Sequence, residues 1–119
     1  MKSRGQHAHY GGLAAEDIVA RDYAARGYEV LEHRWRGQGG EIDLIVQNAE
    51  TVAFVEVKRS KTFERAATHL SPAQTRRLFA AASEYVGHLP TGQLTPMRFD
   101  VALVDQTGQI QIIENALGD

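Results

Sequence analysis

Cysteine is absent from this chain of 119 residues, which excludes a disulfide framework and a thiolate metal site. Any bound metal must therefore take oxygen or imidazole ligands. No apolar run approaches the roughly 20 residues that a membrane span needs. The first residues, MKSRGQHAHYGG, carry charge but no apolar stretch, so they do not read as a secretory signal. These absences lead us to expect a cytoplasmic protein without a membrane partner.

An excess of basic charge is missing too. Lys and Arg number 13 against 15 Asp and Glu, a formal net charge of −2. Binding to a polyanion runs on phosphate neutralisation, and nucleic-acid-binding domains tend to be basic. Overall charge therefore weighs against a nucleic-acid partner without excluding one. A carboxylate metal site lowers the formal charge, and a bound divalent cation restores part of it.

What is present is ordinary for one globular domain: 43% apolar and 24% charged residues. Residues 1–11 show no apolar periodicity and are expected to form a flexible arm, with 12–119 as a single domain. His7 and His9 lie in that arm and are given no metal role. Residues 13–26 have helical spacing, with Ala14, Ile18, Ala25 and Tyr28 along one side and Val19 and Tyr23 four apart. Gly27 fits a helix stop, and β-type residues return at Tyr28–Leu31. Trp35 and the glycine-rich stretch 36–40 read as an irregular connection. Two alternating strands follow at 41–47 and 52–58, joined across Asn48, Ala49, Glu50 and Thr51 as a hairpin. Residues 60–70 show no period and read as a loop. Ser71, Pro72 and Gln74 then form a strong helix start with a capping box. Leu78, Ala82, Tyr85 and Leu89 recur at helical spacing, and the helix is expected to end near 87–90. Strands are expected at 97–104 and 109–114. The order implies an α/β domain with a central mixed sheet flanked by helices.

Both hairpin strands are apolar runs interrupted by charge: Asp43 between Ile42 and Leu44, and Glu56 and Lys58 around Val57. Such charges cost several kcal/mol in a sheet unless paired or bound to metal. A four-residue loop sets Gln47 against Val52, Ile45 against Phe54, Asp43 against Glu56 and Glu41 against Lys58. Asp43, Glu56 and Lys58 would then share one face. Two carboxylates there can hold a hard divalent cation, Mg²⁺ or Mn²⁺, that polarises a phosphoryl oxygen and acidifies water. The lysine can orient that water or stabilise charge on the phosphate. From spacing alone, solvated cross-strand ion pairs explain the same pattern as well.

The segments Gly40-Glu41-Ile42-Asp43-Leu44-Ile45 and Phe54-Val55-Glu56-Val57-Lys58 resemble the D-x(n)-E-x-K core of the PD-(D/E)XK nucleases. The wider string is similar to the YraN-like family of small bacterial proteins. It has Ala15-Glu16 on the first helix, Gly27-Tyr28, Trp35 before GEIDLI, VEVK, the Ser71-Pro72 helix start and Arg98-Phe99-Asp100-Val101. The resemblance implies a restriction-endonuclease-like fold and a metal-dependent endonuclease. Asp43 and Glu56 would be metal ligands, the Val57 carbonyl a third, and Lys58 the catalytic lysine. Glu16 matches a helix carboxylate that completes the metal site in resolvase-like relatives. Glu41 is either a ligand or the ion-pair partner of Lys58. Gln74 is either an accessory site residue or simply half of the capping box. Arg98 and Asp100 are expected to pair structurally beneath the sheet. After VEVK this chain departs from the usual pattern with Arg59-Ser60-Lys61-Thr62-Phe63-Glu64-Arg65, which affects the loop above the site.

Arg34, Arg36, Arg59, Lys61, Arg65, Arg76 and Arg77 gather in sequence around this constellation and are the candidate nucleic-acid-binding residues. Nothing reads as a recognition helix, a zinc finger or an aromatic RNA platform. Recognition by backbone or shape is therefore expected, and the resemblance to resolvase-like folds implies DNA, including structured or branched DNA, as the partner. A homodimer would suit two-strand cleavage. A second reading keeps the fold but no catalysis, as a nucleic-acid-binding or partner-docking module.

Overall fold

Apolar alternation at the centre of the chain forms the strands that everything else packs on. In the computed structural model, which describes residues 11–67 and 71–117, these are β2 (Glu41–Gln47) and β3 (Val52–Arg59). Around them run α1 (Gly11–Ala25), β1 (Glu29–Arg36), α2 (Phe63–Ala67), α3 (Pro72–Val86), a 3-10 turn (Gly92–Leu94), β4 (Met97–Val104) and β5 (Ile110–Ile113). The strands form one sheet in the order β1-β2-β3-β4-β5, antiparallel except for the parallel β3–β4 pair. A mixed five-stranded sheet flanked by helices is compatible with the restriction-endonuclease-like fold. The first ten residues, with His7 and His9, lie outside the described part, whereas Gly11 already belongs to α1.

One face of the sheet buries Leu44, Val46, Ala53, Val55, Ala102 and Val104 under Ala15, Val19 and Tyr23 of α1. The expected helix stripe is thus corrected: Ile18 is only half-buried and Ala25 is exposed, because the 15–19–23 row meets the sheet. α1 stops at Gly27, whose φ of +95° suits glycine. Tyr28 N donates to Tyr23 O (3.1 Å) and Gly27 N to Ala24 O (3.0 Å), a Schellman ending. The opposite face packs Ile45, Val52 and Phe54 under Leu78, Ala82 and Tyr85 of α3. α2 covers Val101 and Leu103 beside it.

Ser71 and Gln74 form the anticipated capping box, each side chain accepting the other's backbone N–H at 3.1 Å. The Gln74 Oε1 is the acceptor in that box. Ser71→Ala should cost about 1 kcal/mol, lowering Tm by roughly 4 °C in a domain of this size. An unchanged thermal melt would contradict that.

Two corrections concern irregular segments. Trp35 and Arg36 belong to β1, and residues 63–67 form a helix inside the expected loop. Trp35 is drawn into the sheet by its edge-on contact with Tyr85, centroids 5.2 Å apart. Ala66 and Phe63 give α2 its apolar anchor.

Candidate active site

The hairpin closes as its loop composition predicts. Asn48 Oδ1 accepts from the N–H groups of Glu50 and Thr51 (both 2.9 Å), and Gln47 pairs with Val52 and Ile45 with Phe54. The ladder then ends at Leu44↔Val55. The expected Asp43/Glu56 and Glu41/Lys58 pairs are not made. Instead the Asp43 carboxylate reaches across, and its Oδ2 accepts the Val57 N–H at 2.8 Å. On the other side His33↔Leu44 and Trp35↔Ile42 flank an interruption where Arg34 stands opposite Asp43, with a φ of +50°. This kink lets Ile42 join Trp35 and Ile45 against α3, although Leu44 points towards α1. The sheet opens at the place where the charged residues sit.

Topology brings the start of β2, the end of β3 and the end of β1 to one end of the sheet. Lys58 Nζ lies 3.0 Å from Glu56 Oε2, and both are largely buried (side chains 13% and 15% exposed). Arg34 Nε lies 3.3 Å from Glu16 Oε1 on α1. Glu41 pairs with Arg36, also at 3.3 Å, and not with Lys58. Among the described residues, no three acidic or imidazole side chains converge closely enough to form a ready metal cage. Glu16, Glu41 and Glu56 each face a cation of the chain itself, and Asp43 the Val57 N–H.

The electrostatics show that these cations are not enough. Burial, then Asp43, pushes the Glu16 carboxyl above its usual range, against the pull of Arg34. Burial raises Asp43, opposed by the Val57 N–H and Lys58. Burial and Asp43 raise Glu56, opposed by Lys58. Glu41 adds to the repulsion on both Asp43 and Glu56. Three carboxyls at this end of the sheet are therefore raised together, and carboxylate oxygens are the donor type a hard divalent cation takes.

Each of these carboxyls binds its proton more tightly in the folded state than in the unfolded chain. The native state then holds more protons from the ordinary carboxylate range upwards, so stability falls as pH rises through the folded-state values. Asp43→Asn relieves this, and its amide oxygen can still accept from Val57. We expect the metal-free variant to be more stable than wild type at pH 7.5, with the gain shrinking towards pH 4. Urea melts in EDTA across that range measure it. A loss of stability at neutral pH would show that Lys58 and Arg34 already compensate the Asp43 charge and that its burial carries no cost.

The other expected site residues divide into two groups. Arg34 and Arg36 pair with Glu16 and Glu41 while their side chains stay 50% and 77% exposed. Arg59 at the end of β3, Lys61 after it, Arg65 on α2 and Arg76 and Arg77 on α3 are exposed. Arg77 lies against the β1–β2 turn: a Cβ on Gly40 would sit 3.3 Å from the Arg77 Cβ. Glu84 of α3 was not anticipated. Its carboxylate accepts from Gln38 N (2.9 Å) and Gly39 N (3.2 Å), and these bonds hold its carboxyl below the usual range. The signal was the run Gly37-Gln38-Gly39-Gly40 itself, whose backbone N–H groups need an acceptor. Glu84 thus fixes the turn that leads into Glu41 and Asp43.

Arg98 and Asp100 pair as expected, on the α1 side of the sheet. Asp100, fully buried, accepts from Arg98 Nε and Nη2 (both 2.9 Å), Tyr23 Oη (2.7 Å) and Asn115 N (2.9 Å).

Residues 15–104 match the group described as "Uncharacterised protein family UPF0102". The chain belongs to that family. A UPF0102 protein of Ruegeria pomeroyi is 56% identical over 118 residues, covering 99% of this chain and 96% of its own length. One of Roseobacter denitrificans is 55% identical, covering 97% and 89%. Another, of Cereibacter sphaeroides strain ATCC 17029, is 51% identical over 94% of this chain and 96% of its own. Membership of UPF0102, the YraN-like family, bears out the resemblance in the sequence and covers the whole constellation from Glu16 to Asp100. Among the described residues, no helix is long and apolar enough to cross a membrane.

Proposed function

We propose that this protein is a divalent-metal-dependent endonuclease that hydrolyses phosphodiester bonds in DNA, structured or branched DNA included. The observation that carries this reading is that Asp43, Glu56 and Lys58 come to one end of the sheet where the β2–β3 ladder stops, with Glu16 of α1 held there by Arg34 and all three carboxyls raised by burial. Asp43, Glu56, the Val57 carbonyl and Glu16 would hold Mg²⁺ or Mn²⁺, with Glu41 in reserve at the rim. Bound there, the cation would polarise the phosphoryl oxygen and acidify a water.

The chain's own residues supply the rest. The Val57 N–H fixes the Asp43 carboxylate, so its free oxygen is oriented before any ligand arrives. Lys58 leaves Glu56 to neutralise charge that builds on the phosphate. Glu84 rigidifies the entry to β2. Arg59, Lys61, Arg65, Arg76 and Arg77 are exposed and would follow the phosphate backbone.

Cleavage of labelled single-stranded, duplex and four-way-junction DNA with Mn²⁺ or Mg²⁺, alongside Glu56→Ala, tests this. Metal-dependent cutting lost in the variant supports it. A second reading, a binding module without catalysis, draws on the ion pairs that already occupy Glu16, Glu41 and Glu56. No cutting of any substrate, with DNA binding intact in EDTA, would select that reading instead.

A further inference from the structure

Arg34 combines a costly backbone with a well-placed side chain. Its φ of +50° lies in the left-handed region, where a residue with a Cβ loses roughly 1–2 kcal/mol. The kink has a structural purpose, because it turns Trp35 and Ile42 towards α3. Glycine would make the same kink without penalty. Arginine at this position gains something else: its guanidinium bonds Glu16 at 3.3 Å and stands opposite Asp43 across the strand pair. Half of the side chain is exposed (50%), so it can leave without disturbing the core, whereas Glu16 is fixed at 10% exposure.

We propose that Arg34 is the resident counter-cation of the carboxylates at this end of the sheet, holding Glu16 until a divalent ion displaces it. The proposal rests on the metal-dependent reading above. It makes Arg34 a positioning residue that holds Glu16 in the ion-free protein. An ordinary surface ion pair behaves differently, since losing it leaves ion binding unchanged.

Mn²⁺ titration of the full chain by calorimetry, at low salt, separates the two. Arg34→Gly keeps the backbone conformation and removes the competing charge. Arg34→Asn, which also tolerates the left-handed region, is a second neutral variant. Both should bind Mn²⁺ about fivefold more tightly than wild type, the equivalent of about 1 kcal/mol for a half-exposed pair. Arg34→Lys retains the charge and should stay within about twofold of wild type. In a Glu16→Gln background, Arg34→Gly should bring a clearly smaller gain, since only its influence on Asp43 is then left. Mn²⁺ binding by wild type with unchanged or weaker binding by Arg34→Gly and Arg34→Asn overturns the counter-cation while leaving the metal site standing. No Mn²⁺ binding by any of the proteins overturns the metal site, and the counter-cation with it.

Discussion

Asp100→Ala is expected to destabilise the protein by about 3–5 kcal/mol, because it strands a largely buried guanidinium. Arg98 is 18% exposed and gives Asp100 two hydrogen bonds, so alanine leaves its charge without a close partner; Glu114 is 3.9 Å away and half-exposed. The same change orphans the Tyr23 hydroxyl and the Asn115 N–H. The hydroxyl proton is already held far above the usual range by burial and by Asp100. Arg98 further bonds Tyr28 Oη at 2.9 Å, and Tyr28 packs edge-on against Tyr23, centroids 5.2 Å apart. The network thus ties the end of α1 to β4 and to the chain after β5. Against a total stability of about 5–15 kcal/mol, the loss brings Tm down by roughly 10–25 °C. The double change Arg98→Met/Asp100→Leu removes both charges and should recover much of the deficit. Thermal melts of the three proteins test this. A double variant less stable than Asp100→Ala would show that the charges are not the source of the cost.

The second large effect is catalytic. Lys58→Ala is expected to slow metal-dependent DNA cleavage by about 10²–10³-fold, as loss of one preorganised transition-state donor does. It should leave Mn²⁺ binding intact, since Lys58 is not a ligand and its charge opposes the cation. Lys58→Arg keeps the charge but replaces a compact ammonium with a planar fork, and should restore little. The comparison is made on the best-cut substrate at saturating metal. Wild-type rates in Lys58→Ala would remove the lysine from the chemistry.

Much of this site was legible in the sequence. A loop of Asn48 to Thr51 fixed the register of Gln47 with Val52 and Ile45 with Phe54, and the structure has both pairs. Extrapolating that register to Asp43 and Glu56 failed for a physical reason. A side chain took over a backbone hydrogen bond, and a left-handed arginine kinked the neighbouring strand. Neither event leaves a mark in hydrophobic periodicity. Asp43 nevertheless ends near enough to push the Glu56 carboxyl up, because both strands still deliver their carboxyls to the same end of the sheet. α2 was invisible because five residues give no period to read. Glu84 was overlooked because a helix-face glutamate looks solvated until the glycine turn docks on it. The ion pairs of Arg34 and Arg36 were hidden similarly, in the choice between nearby acids and a phosphate.

The most direct test of the metal-site account is Mn²⁺ binding by wild type and Asp43→Asn, followed by calorimetry and by the change in Tm. The account predicts that Mn²⁺ binds wild type and raises its Tm, whereas Asp43→Asn neither binds the ion nor responds to it. Equal binding by both proteins, or by neither, would contradict it.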